Sequence, residues 1–312
     1  MRHILITCLL ILVTFNFGMS QSNDVEFKVL STRGENRMKS SSGIVTIKTG
    51  LAINIDAIVE VVGNGMLGLM YKNGRTLELK NAGEYNVSDL VKQALAKSNS
   101  SVSTQYAKYV LAQVTKGNDP VVTKPGKNMG VTGAVMRAMK SSNANSIDVY
   151  IPDTEILLES QPVIHWGGID GATGYTVHIV NMENTILLSQ NTSDTFAVID
   201  LYNIPLLKDE SLFMVKVQAK GKTNHSLMIP LNISKMDPDN RDEFFDIKNN
   251  LDKNSATDWI SLALFCQRFN LNVDAYHAYE MAIKIAPDLP EYKSMFIDFK
   301  NQVNLKETME KR

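Results

Sequence analysis

The sequence predicts a multidomain protein with mainly β N-terminal and central domains, followed by an α-helical C-terminal tail. Three observations lead to this fold class. Residues 21–97 contain short runs in which apolar and polar residues alternate, the period of half-buried strands. Residues 147–236 contain more short strand candidates, at the even spacing typical of a β-sandwich. From residue 237 onwards the apolar residues recur at helical spacing.

The first twenty residues have the features of a secretory signal peptide. Arg2 and His3 form a short positive start, and an apolar run follows from Ile4 to Phe17. Gly18 and Ser20 place small residues before a cut at Gln21, and the apolar run is shorter than the roughly 20 residues that a spanning helix needs. We therefore expect residues 1–20 to be removed, leaving an exported chain with no membrane span.

The cysteine content and the net charge bear on disulfide bonding, thiol reactivity and nucleic-acid binding. Removal of Cys8 with the signal would leave Cys266 alone, so no internal disulfide can form, and we expect a buried, inert thiol. The formal net charge is −1 and no arginine-rich block is present. Because phosphate binding needs a concentrated basic face, we expect no nucleic-acid partner.

The N-terminal region, residues 21–97, combines alternating runs with strong turn signals. Asn73-Gly74 between two such runs is typical of a two-residue hairpin. The stretches Ile47–Val59, Gly65–Leu79 and Ala82–Tyr85 resemble FecR-like domains. The resemblance implies a small extracytoplasmic β fold. FecR proteins carry an anti-sigma helix and a spanning helix before this domain, whereas this chain has a signal peptide there, so the resemblance implies a binding or scaffolding module.

A dinucleotide-binding pattern occurs in the same region. Gly63-Asn-Gly-Met-Leu-Gly68 matches G-x-G-x-x-G, but a strand and its turn follow it, over Leu69–Gly74. Pyrophosphate binding requires the N-terminus of a helix at that point. We therefore interpret the motif as a hairpin turn followed by a glycine within a strand, and we expect no cofactor.

Residues 98–146 are predicted to contain a helix and then a flexible linker. Apolar residues recur at helical spacing up to Val114, and Pro120 and Pro125 then break regular structure. The rest of the segment is small and polar.

The central region, residues 147–236, resembles fibronectin type III domains. Pro162–Trp166 is similar to the second strand of such a sandwich, Gly174–Ile179 to the third and Phe213–Ala219 to the sixth. The resemblance places Trp166, Tyr175 and Phe213 in the core. Phe213 stands where these domains usually carry the tyrosine that closes a corner, so an immunoglobulin-like variant is the alternative. We interpret this region as a spacer between the FecR-like module and the tail.

Three histidines of the central region are candidates for ligands or acid–base groups. His165 and His178 are predicted on strands of opposite sheets, both pointing outward, and His225 lies in a loop signal without a partner at ligand spacing. We expect all three to be surface residues and predict no metal site.

The tail, residues 237–312, contains a pattern similar to one tetratricopeptide repeat. Trp259, Leu262 and Tyr279 are predicted to fill the seam between two antiparallel helices. Small residues that permit close helix approach are Ala263, Ala275 and Ala282. Since about three repeats are needed for a stable array, the amphipathic helix Pro290–Val303 must cover one face. Its side chains predicted to dock a partner are Tyr292, Phe296 and Phe299.

No nucleophile elbow, zinc signature or phosphate loop is recognisable. We therefore expect a non-catalytic exported cell-envelope protein that binds or organises other envelope proteins. The FecR resemblance implies the periplasm or exterior of a Gram-negative bacterium. Two alternatives are a component of envelope signalling and an exported carbohydrate- or wall-associated enzyme whose site lies unrecognised in the N-terminal domain.

Overall fold

The computed structural model describes residues 25–96, 112–113, 146–303 and 305. The predicted signal peptide lies outside these ranges, as does almost all of the helix and linker predicted over residues 98–146. Among the described residues, the predicted order of β-sheets followed by helices is confirmed. In the same ranges no helix has both the length and the apolar character needed to cross a membrane.

The N-terminal β region consists of two antiparallel four-stranded sheets around one core. The first sheet has the strand order β4-β1-β6-β7 and the second β3-β2-β5-β8. Their bounds, with the helix that follows them, are β1 Val25–Arg33, β2 Arg37–Ser40, β3 Gly43–Thr46, β4 Ala52–Asn54, β5 Ile58–Val61, β6 Met66–Tyr71, β7 Thr76–Leu79, β8 Gly83–Asn86 and α1 Val87–Ala96.

Strand β6 differs from its neighbours because both of its faces are buried. Leu67, Leu69 and Tyr71 face the core of the N-terminal region. Met66 and Met70 belong instead to the core of the C-terminal helices. The G-x-G-x-x-G motif is the turn into this strand, as predicted: Gly63 has a φ of 57° and a strand, β6, follows it.

The central β region has a five-stranded sheet with the order β12-β11-β14-β15-β9 and a two-stranded sheet, β10-β13. All pairs are antiparallel except β15 with β9. The bounds are β9 Glu155–Ile156, β10 Val163–His165, β11 Tyr175–Val180, β12 Ile186–Thr192, β13 Phe196–Val198, β14 Leu212–Ala219 and β15 Ile229–Ile233. The sequence also favours a strand over Ile147–Ile151, but the structure has only one isolated bridge there, between Val149 and Trp166.

Trp166 lies at the centre of this region. Its side chain is 2% exposed, and its ring packs edge-on against Tyr175 at 5.5 Å between centroids. The Tyr175 hydroxyl accepts a hydrogen bond of 2.7 Å from the backbone N–H of Ile169. Phe213, on β14, is 1% exposed in the same core. The two sheets therefore share one core that contains all three aromatic residues.

The C-terminal helical region contains α2 Pro238–Asn249, α3 Ala256–Arg268, α4 Asn272–Ile285 and α5 Pro290–Gln302. A three-residue turn joins α3 to α4, and the alanines at positions 263, 275 and 282 are fully buried between the helices. Leu262 and Tyr279 are 4% and 1% exposed. Trp259 is only partly buried, and its Nε1 donates to the backbone oxygen of Lys253 at 3.1 Å.

The helical region packs against both β regions. Leu30, Met66 and Met70 of the N-terminal sheet belong to the helical core, and Val273 of α4 belongs to the core of the central region. The interpretation of the central region as a spacer that separates the N-terminal module from the tail is therefore wrong. Sequence periodicity identifies the apolar face of each element but does not identify its partner.

The prediction that three residues of α5 dock a partner is wrong for two of them. Tyr292 and Phe299 are 0% exposed, so neither can contact a partner. Tyr292 is held by Ser31 of the N-terminal sheet, and Phe299 packs on Tyr279 at 5.2 Å between ring centroids. Phe296 is the one of the three that keeps some exposure.

Replacement of Trp166 by alanine should destabilise the protein by about 3–5 kcal/mol, because it removes a large side chain from a closed core. The matched control is Tyr202→Ala, since Tyr202 is an aromatic residue of the same region that is 50% exposed. We expect the control to change stability by less than about 0.5 kcal/mol. Urea unfolding followed by circular dichroism measures both, and equal effects would contradict the assignment of Trp166 to the core.

Candidate functional site

The first junction between the parts of the chain lies at the N-terminus of α3. Glu78 of β7 has a side chain that is only 3% exposed. Its Oε2 accepts hydrogen bonds of 2.8 Å from both the backbone N–H and the hydroxyl of Thr257, and one of 3.3 Å from the Ser255 hydroxyl. Lys80 Nζ lies 2.7 Å from Oε1. A carboxylate from the sheet thus satisfies a free N–H group at the positive end of the helix.

A chain of hydroxyl groups extends from this carboxylate into the protein. Tyr292 of α5 lies 3.0 Å from the Thr257 hydroxyl and 2.7 Å from the Ser31 hydroxyl on β1. One set of donors satisfies every contact: Ser31 donates to Tyr292, Tyr292 to Thr257, and Thr257 to Glu78. Burial raises the pKa of the Tyr292 hydroxyl, so Tyr292 keeps the proton that it donates.

Gly68 of β6 allows the helix to approach the sheet at this point. A Cβ placed on Gly68 would lie 2.5 Å from the hydroxyl oxygens of both Ser31 and Thr257. Such distances are well inside van der Waals contact. The glycine is therefore required by the space between β6 and α3.

The second junction joins the segment before β10 to α2 and α4. The Thr154 hydroxyl accepts a 2.8 Å hydrogen bond from the backbone N–H of Asn272, and the backbone N–H of Glu155 donates to the oxygen of Asn270. Asp274 is buried in the first turn of α4. It accepts from the Ser160 hydroxyl at 3.2 Å and lies 3.8 Å from Lys248 Nζ.

The same junction contains a cluster of titratable side chains formed by His165 on β10 and by His277 and Glu280 on α4. His165 Nε2 lies 3.3 Å from His277 Nδ1, and His165 Nδ1 lies 3.2 Å from Glu280 Oε2. One ligand-type atom from each residue lies within 4.8 Å of the other two. We call these three residues the histidine cluster. Among the residues that the structure describes, it is the group of His, Cys, Asp and Glu side chains close enough to hold a metal ion.

Both rings of the cluster are uncharged at neutral pH. Burial, reinforced by His277, lowers the pKa of His165 to about 4. Burial and the charge of Lys248 lower the pKa of His277 to about 4. Neutral rings satisfy both contacts when His277 Nδ1–H donates to His165 and His165 Nδ1–H donates to Glu280. Burial also raises the pKa of Glu280, against the opposing effects of a Tyr276 hydrogen bond and of Lys300.

The expectation that His165 is a surface residue is wrong. The strand parity is as predicted, since His165 points away from the core that holds Ile164 and Trp166. However, α4 covers that outer face, and only 16% of the His165 side chain is exposed. His277 and Glu280 were not identified from the sequence. Their spacing of three residues, which places them on one helix face, was the available signal.

His178 and His225 lie apart from the cluster. His178 points outward from β11 and contacts the Ser189 hydroxyl at 2.8 Å. It lines a shallow depression of about 590 Å³ with Thr176, Gln218 and residues 219–223, a lining without carboxylates. The ring of His225 contacts the backbone oxygen of Thr223. Cys266 is buried as predicted, and burial raises the pKa of its thiol, which favours an inert role.

A scan of the sequence against protein-family models finds no match, and neither does a search of curated proteins. The resemblances to FecR-like domains, fibronectin type III domains and a tetratricopeptide repeat therefore stay predictions.

Substitution of Glu78 by glutamine tests the first junction. Glutamine keeps the shape of the side chain but removes its charge from the helix N-terminus and from Lys80. We expect a loss of about 1–3 kcal/mol, the usual size for buried hydrogen bonds to a charged group. Glu84→Gln is the control, because Glu84 is an ion-paired glutamate with a side chain that is 56% exposed. Exposed pairs contribute at most about 1 kcal/mol, so urea unfolding that gives the same loss for both variants would contradict a special role for Glu78.

Substitution of Asp274 by asparagine tests the electrostatics of the second junction. Burial raises the pKa of Asp274 to about 6, from an ordinary value of 3.8. Between these values the folded protein keeps a proton that the unfolded chain releases, so this group reduces stability as the pH rises. The stability difference between the Asp274→Asn variant and the wild type should therefore shift in favour of the variant from pH 4 to pH 7, by at most about 3 kcal/mol.

Denaturant unfolding of the two proteins at several pH values in this range measures that difference. The titration of the histidine cluster occurs in both proteins and cancels in the comparison. A difference that stays constant from pH 4 to pH 7 would show that Asp274 does not titrate differently in the folded state.

Proposed function

We propose that the protein is an exported, non-catalytic component of the cell envelope that binds and organises other proteins. The observation that supports this proposal best is the position of the helical region between two β regions. Because α3 contacts the N-terminal sheet and α4 contacts the central sheet, the surfaces of the three parts are held in a fixed relation. A fixed arrangement of several surfaces suits a scaffold that must bring partners together.

The family resemblances are consistent with this role. The paired sheets of the N-terminal region fit a small FecR-like binding module. The strand order β12-β11-β14-β15, with β10 and β13 opposite, fits a fibronectin- or immunoglobulin-like sandwich. Helices α3 and α4, with their buried alanines, fit one tetratricopeptide-like repeat. Modules of these kinds serve mainly in binding.

The proposed location is the periplasm or the exterior of a Gram-negative bacterium. Its support is the charged start, apolar run and small residues of the first twenty positions. The location also agrees with a mature chain that would contain a single, buried cysteine.

The outer face of α5 is the proposed partner surface. Ile297 is 51% exposed there, beside the partly exposed ring of Phe296. Lys300 Nζ lies 4.9 Å from the centre of that ring and covers part of it. An apolar centre with charged neighbours is the usual anatomy of a protein–protein contact.

Affinity capture from envelope extracts tests the proposal with the intact chain as bait, since removal of the helices would expose both β cores. We expect the wild type to retain a specific partner and Ile297→Glu to lose it, because the variant places a charge in the contact. Leu206→Glu is the matched control, as Leu206 is an apolar residue of the central region that is 65% exposed. Capture by Ile297→Glu equal to that by the control would contradict the proposed surface.

A further inference from the structure

The histidine cluster brings together side chains from two distant parts of the chain. His165 and His277 are 112 residues apart in sequence, yet their facing nitrogens are separated by 3.3 Å. Glu280 lies on the same face of α4 as His277, and its Oε2 is 3.2 Å from His165 Nδ1. We propose that His165, His277 and Glu280 form a binding site for a divalent transition metal, with zinc as the best-suited ion.

The spacing of the nitrogens fits tetrahedral zinc. With zinc–nitrogen bonds of about 2.0–2.1 Å, two ligands of a tetrahedral site lie roughly 3.3 Å apart. The two imidazoles are already at this distance. The Glu280 carboxylate contacts the other nitrogen of His165, Nδ1, so it has to turn toward the two facing nitrogens to complete the set; one ligand atom from each residue already lies within 4.8 Å of the others. Two histidines and one glutamate leave the fourth position of the tetrahedron for water.

The ligand atoms of the cluster favour transition metals over magnesium and calcium. Imidazole nitrogen is a preferred donor for zinc, copper and nickel, whereas magnesium and calcium prefer oxygen atoms alone. One carboxylate charge also offsets part of the charge of the ion. A magnesium salt is therefore the natural negative control for a zinc titration.

The surroundings position the ligands. Tyr276 donates a hydrogen bond to the Glu280 carboxylate, a contact that fixes the orientation of a carboxylate ligand. The rings of Phe196 and Tyr276 pack on His165 at 5.8 and 5.5 Å between centroids. The Trp259 ring meets His277 edge-on at 5.8 Å. The ligands are thus held by aromatic packing, while 31% of the Glu280 side chain is exposed and gives an ion access.

Nearby positive charge limits the affinity. Lys248 acts on His277 and Lys300 acts on Glu280 through their charges. Because these ammonium groups repel a cation, we expect weaker zinc binding than the same three ligands would give without them. A bound ion would connect β10 directly to α4, and so would stabilise the attachment of the helical region to the central region. The inference is independent of the proposed partner surface on α5.

Zinc titration of the purified full-length chain, after treatment with a chelator, tests the inference. Competition with a chromophoric chelator measures stoichiometry and affinity, and thermal unfolding with and without zinc measures stabilisation. We expect one zinc ion per chain and a higher melting temperature in zinc but not in magnesium. The replacement of zinc by cobalt should give the strong visible absorption of a tetrahedral site.

Three variants test which residues bind the zinc ion. His277→Ala and Glu280→Gln should each weaken zinc binding roughly tenfold or more, as expected for the loss of a ligand. His178→Ala should bind like the wild type, because His178 lies on the outer face of β11 away from the cluster. Far-UV circular dichroism checks folding, and Glu280→Gln, which keeps the shape of the side chain, decides the question if His277→Ala does not fold.

Two results would overturn the inference. One is the absence of zinc binding by the wild type at millimolar zinc. The other is unchanged affinity in a folded Glu280→Gln protein, which would place the ion elsewhere.

Discussion

Glu78 places a nearly buried carboxylate against the first turn of α3, where Thr257 donates two hydrogen bonds to it. A buried charge is costly unless donors surround it, and a buried helix N-terminus is costly unless acceptors satisfy its N–H groups. The N–H group of α3 donates to the Glu78 carboxylate, so each group offsets the free-energy cost of burying the other. The remaining contacts of the junction follow from this pair, because the hydroxyl groups of Thr257, Tyr292 and Ser31 then form one chain that ends on the carboxylate.

Helix α3 attaches to the N-terminal sheet and α4 to the central region, and the two attachments use different kinds of contact. At α3 the contact with the N-terminal sheet combines the polar chain with apolar packing on Met66 and Met70. At α4 the contact with the central region combines Val273 with a set of titratable groups, among them Asp274 and the histidine cluster. Polar groups of this kind must be matched individually, so they specify one relative arrangement where apolar packing alone would allow several.

The sequence predicted the secondary structure and the buried face of individual segments well, but it did not predict which segments pack against each other. Strand β14, Leu212–Ala219, includes the predicted strand segment Phe213–Ala219, because buried and more exposed residues alternate along it. Trp166 was placed in the core by the resemblance of Pro162–Trp166 to the second strand of a fibronectin type III domain. His165 was correctly assigned to the outer face of its strand, but nothing nearby in sequence states that a helix will cover that face. Tyr292 was misread because a tyrosine on an amphipathic helix has the same pattern whether its neighbour is solvent, a partner or the first strand of the same chain.

The contact between Ser31 and Tyr292 spans 261 residues. Leu30, Met66 and Met70 likewise have no cover until the last helices arrive. The hydrogen bonds of the first sheet join strands that are close in sequence, whereas closing its second apolar face requires the distant helices. Until the helices pack on it, the sheet would expose Leu30, Met66 and Met70, and association with other chains would compete with folding. The stability of the N-terminal sheet therefore depends on helices that lie far away in sequence, so a change that weakens α5 would also weaken the first strand.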